Sequence, residues 1–500
     1  MQNTIPERIC LITPPSIFLL DERVFMNLGV LKIAAVLEVA GCIVEMLDLS
    51  GVSNYLDVVR DHATNSKSEI YGITATTPIM PATALIAEII RNVRPTARVI
   101  LGGPHITLVN AAYKKEIKSG IVGRATKAMK QAEEMFDVLV AGDGEEAILV
   151  ACDPNAPKLV DADDPVSSLF LSSARLTQLP FPARHLIDVA SYHYSIEGIP
   201  ALSLIAQLGC PFGCGFCGGR ESPMLRRIRM RTSENIVEEM TFMHNAYGVN
   251  GFMMYDDELN VNPKMIELMN QIAKAQKDLG VEWRLRGFIK AQLFTDGQAK
   301  AMYAAGFRWI LTGFESGSPR ILENINKRAT QDENTRCVDI AKRHGLKVKA
   351  LMSIGHPGES RGTIQDTKDW LLRSKPDDLD VTIITCYPGT PYYDQAVPDP
   401  SRQGVWTYTY KKTGDKLHQY EVDYTKVADY YKGDPNGGYK AYVFTDYLTS
   451  EDLVRERDAV ENIVRSTLNI PFYHSSPAVR YEHSMGQMGM IPGNILRISK

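Results

Sequence analysis

The sequence predicts an α/β protein in three parts. An N-terminal, Rossmann-like doubly wound parallel sheet comes first, then a complete or partial β/α barrel, then a small, mainly helical C-terminal domain. Three observations carry this. Short apolar runs alternate with amphipathic helical stretches twice over, before and after a proline-containing connector. Most of those runs end in loops rich in Gly, Pro and Thr, where parallel strands bind ligands at their carboxyl ends. The last hundred or so residues lose the alternation and gain tyrosine and charge. The expected boundaries are 1–152, 153–200 for the connector, 201–395 and 396–500.

In the first part, Ile9–Ile12 reads as a strand ending in Thr13-Pro14-Pro15. Val30, Ile33, Ala34 and Leu37 recur at helical spacing, and Gly41 ends that helix. Strands follow at Ile43–Leu49, Ile70–Thr74, Arg98–Leu101 and Val138–Val140. The loops after the last three contain Thr76-Thr77-Pro78, Gly102-Gly103-Pro104-His105 and Gly142-Asp143-Gly144-Glu145. No GxGxxG is present, which argues against a dinucleotide. The connector holds Leu179-Pro180-Phe181-Pro182, which fits neither a regular helix nor a central strand.

In the second part, strands are expected at Ala201–Gln207, Gly251–Tyr255, Glu282–Arg286, Trp309–Thr312, Lys347–Ser353 and Asp380–Thr385, with helices such as Ser233–Tyr247 between them. About six such units make a barrel or most of one. In the third part, Thr449-x-x-Asp452 resembles a capping box opening a helix to about Leu468.

Composition narrows the function. The chain has 500 residues, 44% hydrophobic and 23% charged, the balance of ordinary globular protein. With a net charge of −4 and no basic tract, nothing points to nucleic acid or an anionic membrane surface. No apolar stretch is long enough for a transmembrane segment and no secretory signal is visible, so a cytoplasmic location is expected.

Of eight cysteines, Cys210, Cys214 and Cys217 fall within eight positions as C-x3-C-x2-C, after the first barrel strand. Thiolates are the ligands of iron–sulfur clusters. Three of them would satisfy three irons of a 4Fe–4S cube and leave the fourth open, as a catalytic metal centre requires. Zinc is the alternative, but it wants four ligands, and no fourth Cys or His lies nearby in sequence.

With Phe216 before its last cysteine, this motif resembles the signature of the radical S-adenosylmethionine (SAM) superfamily. The resemblance implies a 4Fe–4S cluster on Cys210, Cys214 and Cys217 that chelates SAM and cleaves it to a 5′-deoxyadenosyl radical. It implies SAM contacts at Phe216, Asp256, Glu315 and Gly355, which lie in or beside loops at strand ends. The first 150 or so residues resemble the cobalamin-binding domain that precedes the barrel in one large subclass. There Thr13, Thr76, Gly102, Gly103, His105, Gly142 and Glu145 are the implied cobalamin contacts. The D-x-H-x-x-G motif of cobalamin mutases is absent, and His105 is expected to serve as polar structure within its loop.

The subclass implies a methyltransferase acting on an unactivated carbon, or on phosphorus, through the 5′-deoxyadenosyl radical and methylcobalamin. Its partners would be a small-molecule substrate and an electron donor of flavodoxin or ferredoxin type. Ring closure, oxygenation or rearrangement with the same cofactors is the alternative. A cobalamin or iron–sulfur sensor is disfavoured by the intact motif and the absence of any signalling motif.

Overall fold

The computed structural model describes residues 5–16, 22–430, 440–471 and 495–499. Six parallel strands build the first sheet: β1 (Arg8–Thr13), β2 (Ile43–Asp48), β3 (Ile70–Thr74), β4 (Arg98–Gly102), β5 (Val138–Gly142) and β6 (Leu159–Ala162). They lie in the order β2-β1-β3-β4-β5-β6. Helices on both faces bury them, which is why they read as continuous apolar runs. The order reverses between β1 and β3, and such a switch point opens a crevice at the carboxyl edge.

Strand β6 lies within residues expected to be connector. It is only four residues long, Leu-Val-Asp-Ala, too short to show a period, and its pairing with β5 makes it a strand. At the other side of the sheet, Leu496–Ile498 pairs antiparallel with β2 and covers its free edge.

The barrel strands are β7 (Ile199–Leu204), β8 (Gly251–Met254), β9 (Arg284–Phe288), β10 (Phe307–Glu315), β11 (Lys347–Ile354) and β12 (Asp378–Ile383), parallel and in sequence order. The barrel is therefore the partial one: a curled six-stranded parallel sheet, extended only by the short antiparallel strand Ser195–Ile196 on β7. Val24 of the first domain packs into the same apolar cluster as Tyr194, Met253 and Leu311, with Phe25 against it, so the two domains share a core.

An open barrel leaves β12 as an edge. The helix Ser450–Leu468 covers it, and it opens on the expected capping box, Thr449 with Asp452. Arg457 Nε donates to Val381 O at 2.9 Å, and Arg465 donates to Leu379 O. Glu461 lies between the two arginines, 3.1 Å from Arg457 Nη2 and 3.3 Å from Arg465 Nε. None of the three residues is more than 1% exposed. The edge carbonyls are satisfied by buried guanidinium groups rather than by another strand.

Ahead of that helix the chain forms a small antiparallel sheet not foreseen from sequence: β13 (Val397–Pro398), β14 (Val405–Thr409), β15 (Lys416–Tyr420) and β16 (Val443–Thr445). Val405-Trp406-Thr407-Tyr408-Thr409 has the β-branched and aromatic content that strands favour. Among the described residues no helix is long and apolar enough to cross a membrane.

Candidate active site and corrin cavity

The cysteine motif occupies the loop beyond β7, at the carboxyl end of the barrel. Three contacts shape it. Cys210 N donates to Leu225 O at 3.0 Å, Gly215 N to Ile325 O at 2.8 Å, and Tyr392 N to Gly215 O at 3.0 Å. A Cβ on Gly215 would lie 2.2 Å from the Tyr392 ring, so only glycine fits there. Arg220, buried, donates to the carbonyls of Cys210 at 3.0 Å and Gly218 at 3.1 Å, and to that of Phe212. The chain is thus wrapped around one guanidinium.

Three thiols on one loop are a donor set that fits an iron–sulfur cluster. Burial pushes the Cys217 thiol up to about 12 and also raises Cys210, so binding a metal there must release protons.

Charged groups surround the loop. Glu315, at the end of β10, adopts φ 67° and accepts from Lys327 Nζ at 3.1 Å and from Ser353 Oγ at 2.7 Å. Burial would raise its pKa, but Lys327 and Ser353 outweigh that and hold it below the ordinary range. His356 Nε2 lies 2.8 Å from Ser353 Oγ, and its ring centroid is 5.3 Å from that of Phe216. Lys290 Nζ stands 4.1 Å from the Phe212 ring centroid. Burial pushes Glu258 up to about 7, and its Oε2 has no partner among the described residues.

Of the expected SAM contacts, Phe216 and Glu315 come together around Ser353 and His356. Asp256 does something further: its Oδ1 accepts from the amides of Ala206 at 2.9 Å and Gln207 at 2.5 Å, clamping the chain beyond β7. Its Oδ2 is left unpartnered among the described residues, and burial raises its pKa to about 7. Gly355 (φ +90°) packs against Val443 and Leu453 of the C-terminal part. Sequence reasoning missed Lys290, Lys327 and Ser353. Lys290 follows closely on β9, which was a usable signal, whereas Lys327 is marked only by its burial.

A second cavity, about 490 Å³, opens at the switch point of the first sheet. Its walls are apolar (Leu11, Ile73, Ile100, Val140), Gly72, Gly102 and Gly103 also line it, and no histidine does so among the described residues. Thr13, Thr76, Gly102, Gly103, Gly142 and Glu145 all line it. The hydroxyls of Thr13, Ser16 and Thr76 are buried without partners among the described residues. A flat apolar macrocycle rimmed with amides would satisfy them, so the residues fit a corrin.

His105 is the exception among the expected cobalamin contacts. It does not line the cavity; its Nδ1 lies 3.1 Å from Thr77 Oγ1, and its amide donates to Ala75 O at 2.9 Å. The reason is local. Gly103 caps the helix Pro104–Lys118 at φ 97°, where a Cβ would strike Thr74 Oγ1 at 2.6 Å, and this turn sets His105 behind the loop.

The cavity and the cysteine loop share a wall. Ile205, Leu208, Met224, Leu225 and Tyr255 of the barrel line the cavity. The carbonyl of Leu225 is also the acceptor for Cys210 N. Asp143, in the cavity, pairs with Arg229 of the barrel and accepts from Leu171 N at 2.9 Å.

A cysteine loop at the mouth of an open β/α barrel, beside a corrin-sized cavity in a doubly wound sheet, defines the class of cobalamin-binding radical SAM proteins. The comparisons agree: residues 204–371 match the Radical SAM superfamily and residues 22–133 match the B12 binding domain, so the chain carries both domains in that order. It is 29% identical over 342 residues to an uncharacterized methyltransferase of Pyrococcus horikoshii, covering 66% of this chain and 69% of that one. It is 26% identical over 377 residues to an anaerobic magnesium-protoporphyrin IX monomethyl ester cyclase of Rubrivivax gelatinosus, covering 70% of this chain and 62%, less than two thirds, of the cyclase. Among solved structures it resembles the radical SAM methyltransferase TsrM of Kitasatospora setae, with cobalamin and a [4Fe-4S] cluster bound. The TM-score is 0.66 at 16% identity, over 92% of this chain and 91% of that one. The cobalamin-dependent radical enzyme OxsB is similar at a TM-score of 0.56 and 15% identity, over 78% of this chain and 55% of that one.

Proposed function

We propose that the protein is a cobalamin-dependent radical SAM methyltransferase that methylates an unactivated carbon, or phosphorus, of a small molecule in the cytoplasm. The observation that carries the reading is Leu225, whose carbonyl holds the cysteine loop while its residue lines the corrin cavity. Two cofactors on either side of one residue can act on one substrate. With both bound, the cluster would supply the electron for SAM cleavage and cobalamin the methyl group.

The chain's own residues position and shield. Cys210, Cys214 and Cys217 would hold three irons as thiolates. Phe216 and the Glu315 carboxylate, fixed by Lys327 and Ser353, would hold SAM against the open iron. Glu315 stays charged at neutral pH, so it can accept from a ribose hydroxyl or an ammonium group. Thr13, Thr76 and the backbone at Gly102 and Gly103 would hold the corrin. Phe25 and Tyr255 line the cavity with ring centroids 5.1 Å apart, and Phe288 packs on Tyr255 at 6.2 Å. They would exclude water from the space between the cofactors.

The cyclase-named relative supports a second reading, ring closure with the same cofactors. Product analysis separates the two. Protein reconstituted anaerobically with iron, sulfide and cobalamin, then reduced with SAM, should release S-adenosylhomocysteine stoichiometric with bound corrin. Release of 5′-deoxyadenosine alone would favour the non-methylating reaction. An electron donor of flavodoxin or ferredoxin type completes the reading.

A further inference from the structure

We propose that Cys10, Glu45 and His62 form a zinc site inside the N-terminal domain, apart from the cysteine loop and from the cavity of the first sheet, and that the ion staples the helix Tyr55–Asn65 to that sheet.

Three elements bring the donors together. Cys10 lies on β1, and its register partners are Glu45 on β2 and Tyr71 on β3, so the three side chains stand in a row on one face of the sheet. His62, in the last turn of the helix Tyr55–Asn65, covers the row. Its Nε2 lies 2.8 Å from Glu45 Oε2, and its ring stands perpendicular to that of Tyr71 at 5.9 Å. Cys10 Sγ, a Glu45 oxygen and a His62 ring nitrogen all lie within 4.8 Å of one another. None of the three residues is more than 8% exposed. From β1 it is Leu11 and Thr13 that line the cavity of the first sheet, and alternation sets them on the opposite face from Cys10.

The hydrogen bonds of the row are incomplete. Glu45 is well served: Oε1 accepts from Arg8 Nη1 at 3.0 Å, and Oε2 accepts from Ser66 Oγ at 2.7 Å and Ser68 Oγ at 3.1 Å. His62 Nδ1 and Tyr71 Oη, however, are buried without a partner among the described residues. Buried polar atoms are seldom left so, and two of them beside a thiol and a carboxylate point to a missing ligand.

The donor types choose the ion. Thiolate, imidazole and carboxylate together suit zinc, whereas magnesium and calcium take oxygen ligands. Charge agrees. Burial would raise the Glu45 carboxyl, but His62, Ser66 and Ser68 outweigh it and bring it down to about 2, so it is ionised at neutral pH. Burial, and then that carboxylate, keep Cys10 a thiol. A divalent ion displaces the Cys10 proton to solvent, and its two charges are then cancelled by the thiolate and the carboxylate, as an apolar interior requires. The Tyr71 hydroxyl gives a water in the fourth position a hydrogen-bond partner.

The test uses the full-length protein with its cluster reconstituted, given one equivalent of zinc and passed through gel filtration. Elemental analysis of wild type should find about one zinc per chain. Zinc-edge X-ray absorption should show one sulfur at about 2.3 Å and lighter ligands at about 2.0–2.1 Å. Cys10→Ala and His62→Gln should each lower retained zinc at least about tenfold while iron content stays within about twofold. His62→Gln keeps an amide donor for Glu45, so it removes the ligand without stranding the carboxylate. Zinc should raise the unfolding midpoint of wild type and leave that of both variants unchanged. Three sulfurs around the zinc would place it on the cysteine loop and overturn the site, as would full zinc retention in both variants or none in folded wild type. The wild-type absorption spectrum decides the ligand set even where a variant folds poorly.

Discussion

Lys327 Nζ sits 3.1 Å from Glu315 Oε1 at the barrel mouth, where the two side chains are only 5% and 13% exposed. Burial disfavours both charges. The pair and the Ser353 hydrogen bond offset that, holding the Glu315 carboxyl below and the Lys327 ammonium above its ordinary range.

Removing one partner leaves the other charge buried and unpaired, which costs about 3–5 kcal/mol. Glu315→Gln keeps the shape and the Ser353 contact but strands Lys327. Its unfolding midpoint should fall, and SAM affinity, measured by equilibrium dialysis on reconstituted protein, should drop at least about tenfold, the loss of one charge-assisted hydrogen bond. Lys327→Met should lose stability similarly.

The cavity of the first sheet, the proposed corrin site, can be filled without straining the fold. A Cβ at Gly102 would meet nothing closer than Val140 Cβ at 3.9 Å, so a side chain is tolerated there and extends into the cavity Gly102 lines. Gly102→Leu should retain the cluster absorbance near the parent level and fail to retain cobalamin through gel filtration. Unaltered corrin retention would place cobalamin elsewhere.

Much of this site was legible in the sequence because its parts are local. The C-x3-C-x2-C spacing and the Gly-Pro-Thr loops are short-range patterns, and short continuous apolar runs and a 3.6 period mark the strands and helices that carry them. What was not legible depends on distant pairing. Strand β6 exists because β5 offers an edge, Lys327 matters because the chain folds it under Glu315, and His105 turns away because of the φ at Gly103. The tyrosine-rich stretch folds as a sheet for the same reason: β14 and β15 stabilise each other. The sequence also carries Tyr481-Glu482-His483 and Met485-Gly486-Gln487, to which no role is assigned and which lie outside the described residues.

The pH dependence of stability should carry the mark of His105. Burial lowers its pKa from 6.5 to about 4. Between those values the unfolded chain binds a proton that the native imidazole refuses, so stability falls as pH drops from 6.5 and levels off below about 4. His105→Asn removes that contribution. Urea titrations at successive pH values should show wild type losing stability relative to the variant across this window, and not between pH 7 and 8.

The covered barrel edge offers a test away from the chemistry. Glu461→Ala deprives Arg457 and Arg465 of the carboxylate between them, though Asp458 and Asp378 still contact them. A loss near the lower end of about 3–5 kcal/mol is expected, read as a shift in the chemical denaturation midpoint at unchanged m-value.

The most direct test of the central claim is mass spectrometry of nucleosides after anaerobic reconstitution and dithionite reduction with SAM. It should compare wild type with a variant carrying Ala at Cys210, Cys214 and Cys217. Wild type should show the iron–sulfur absorbance and yield 5′-deoxyadenosine, and the variant should show neither. Continued SAM cleavage in the variant, or none in wild type with an intact cluster, would contradict the assignment.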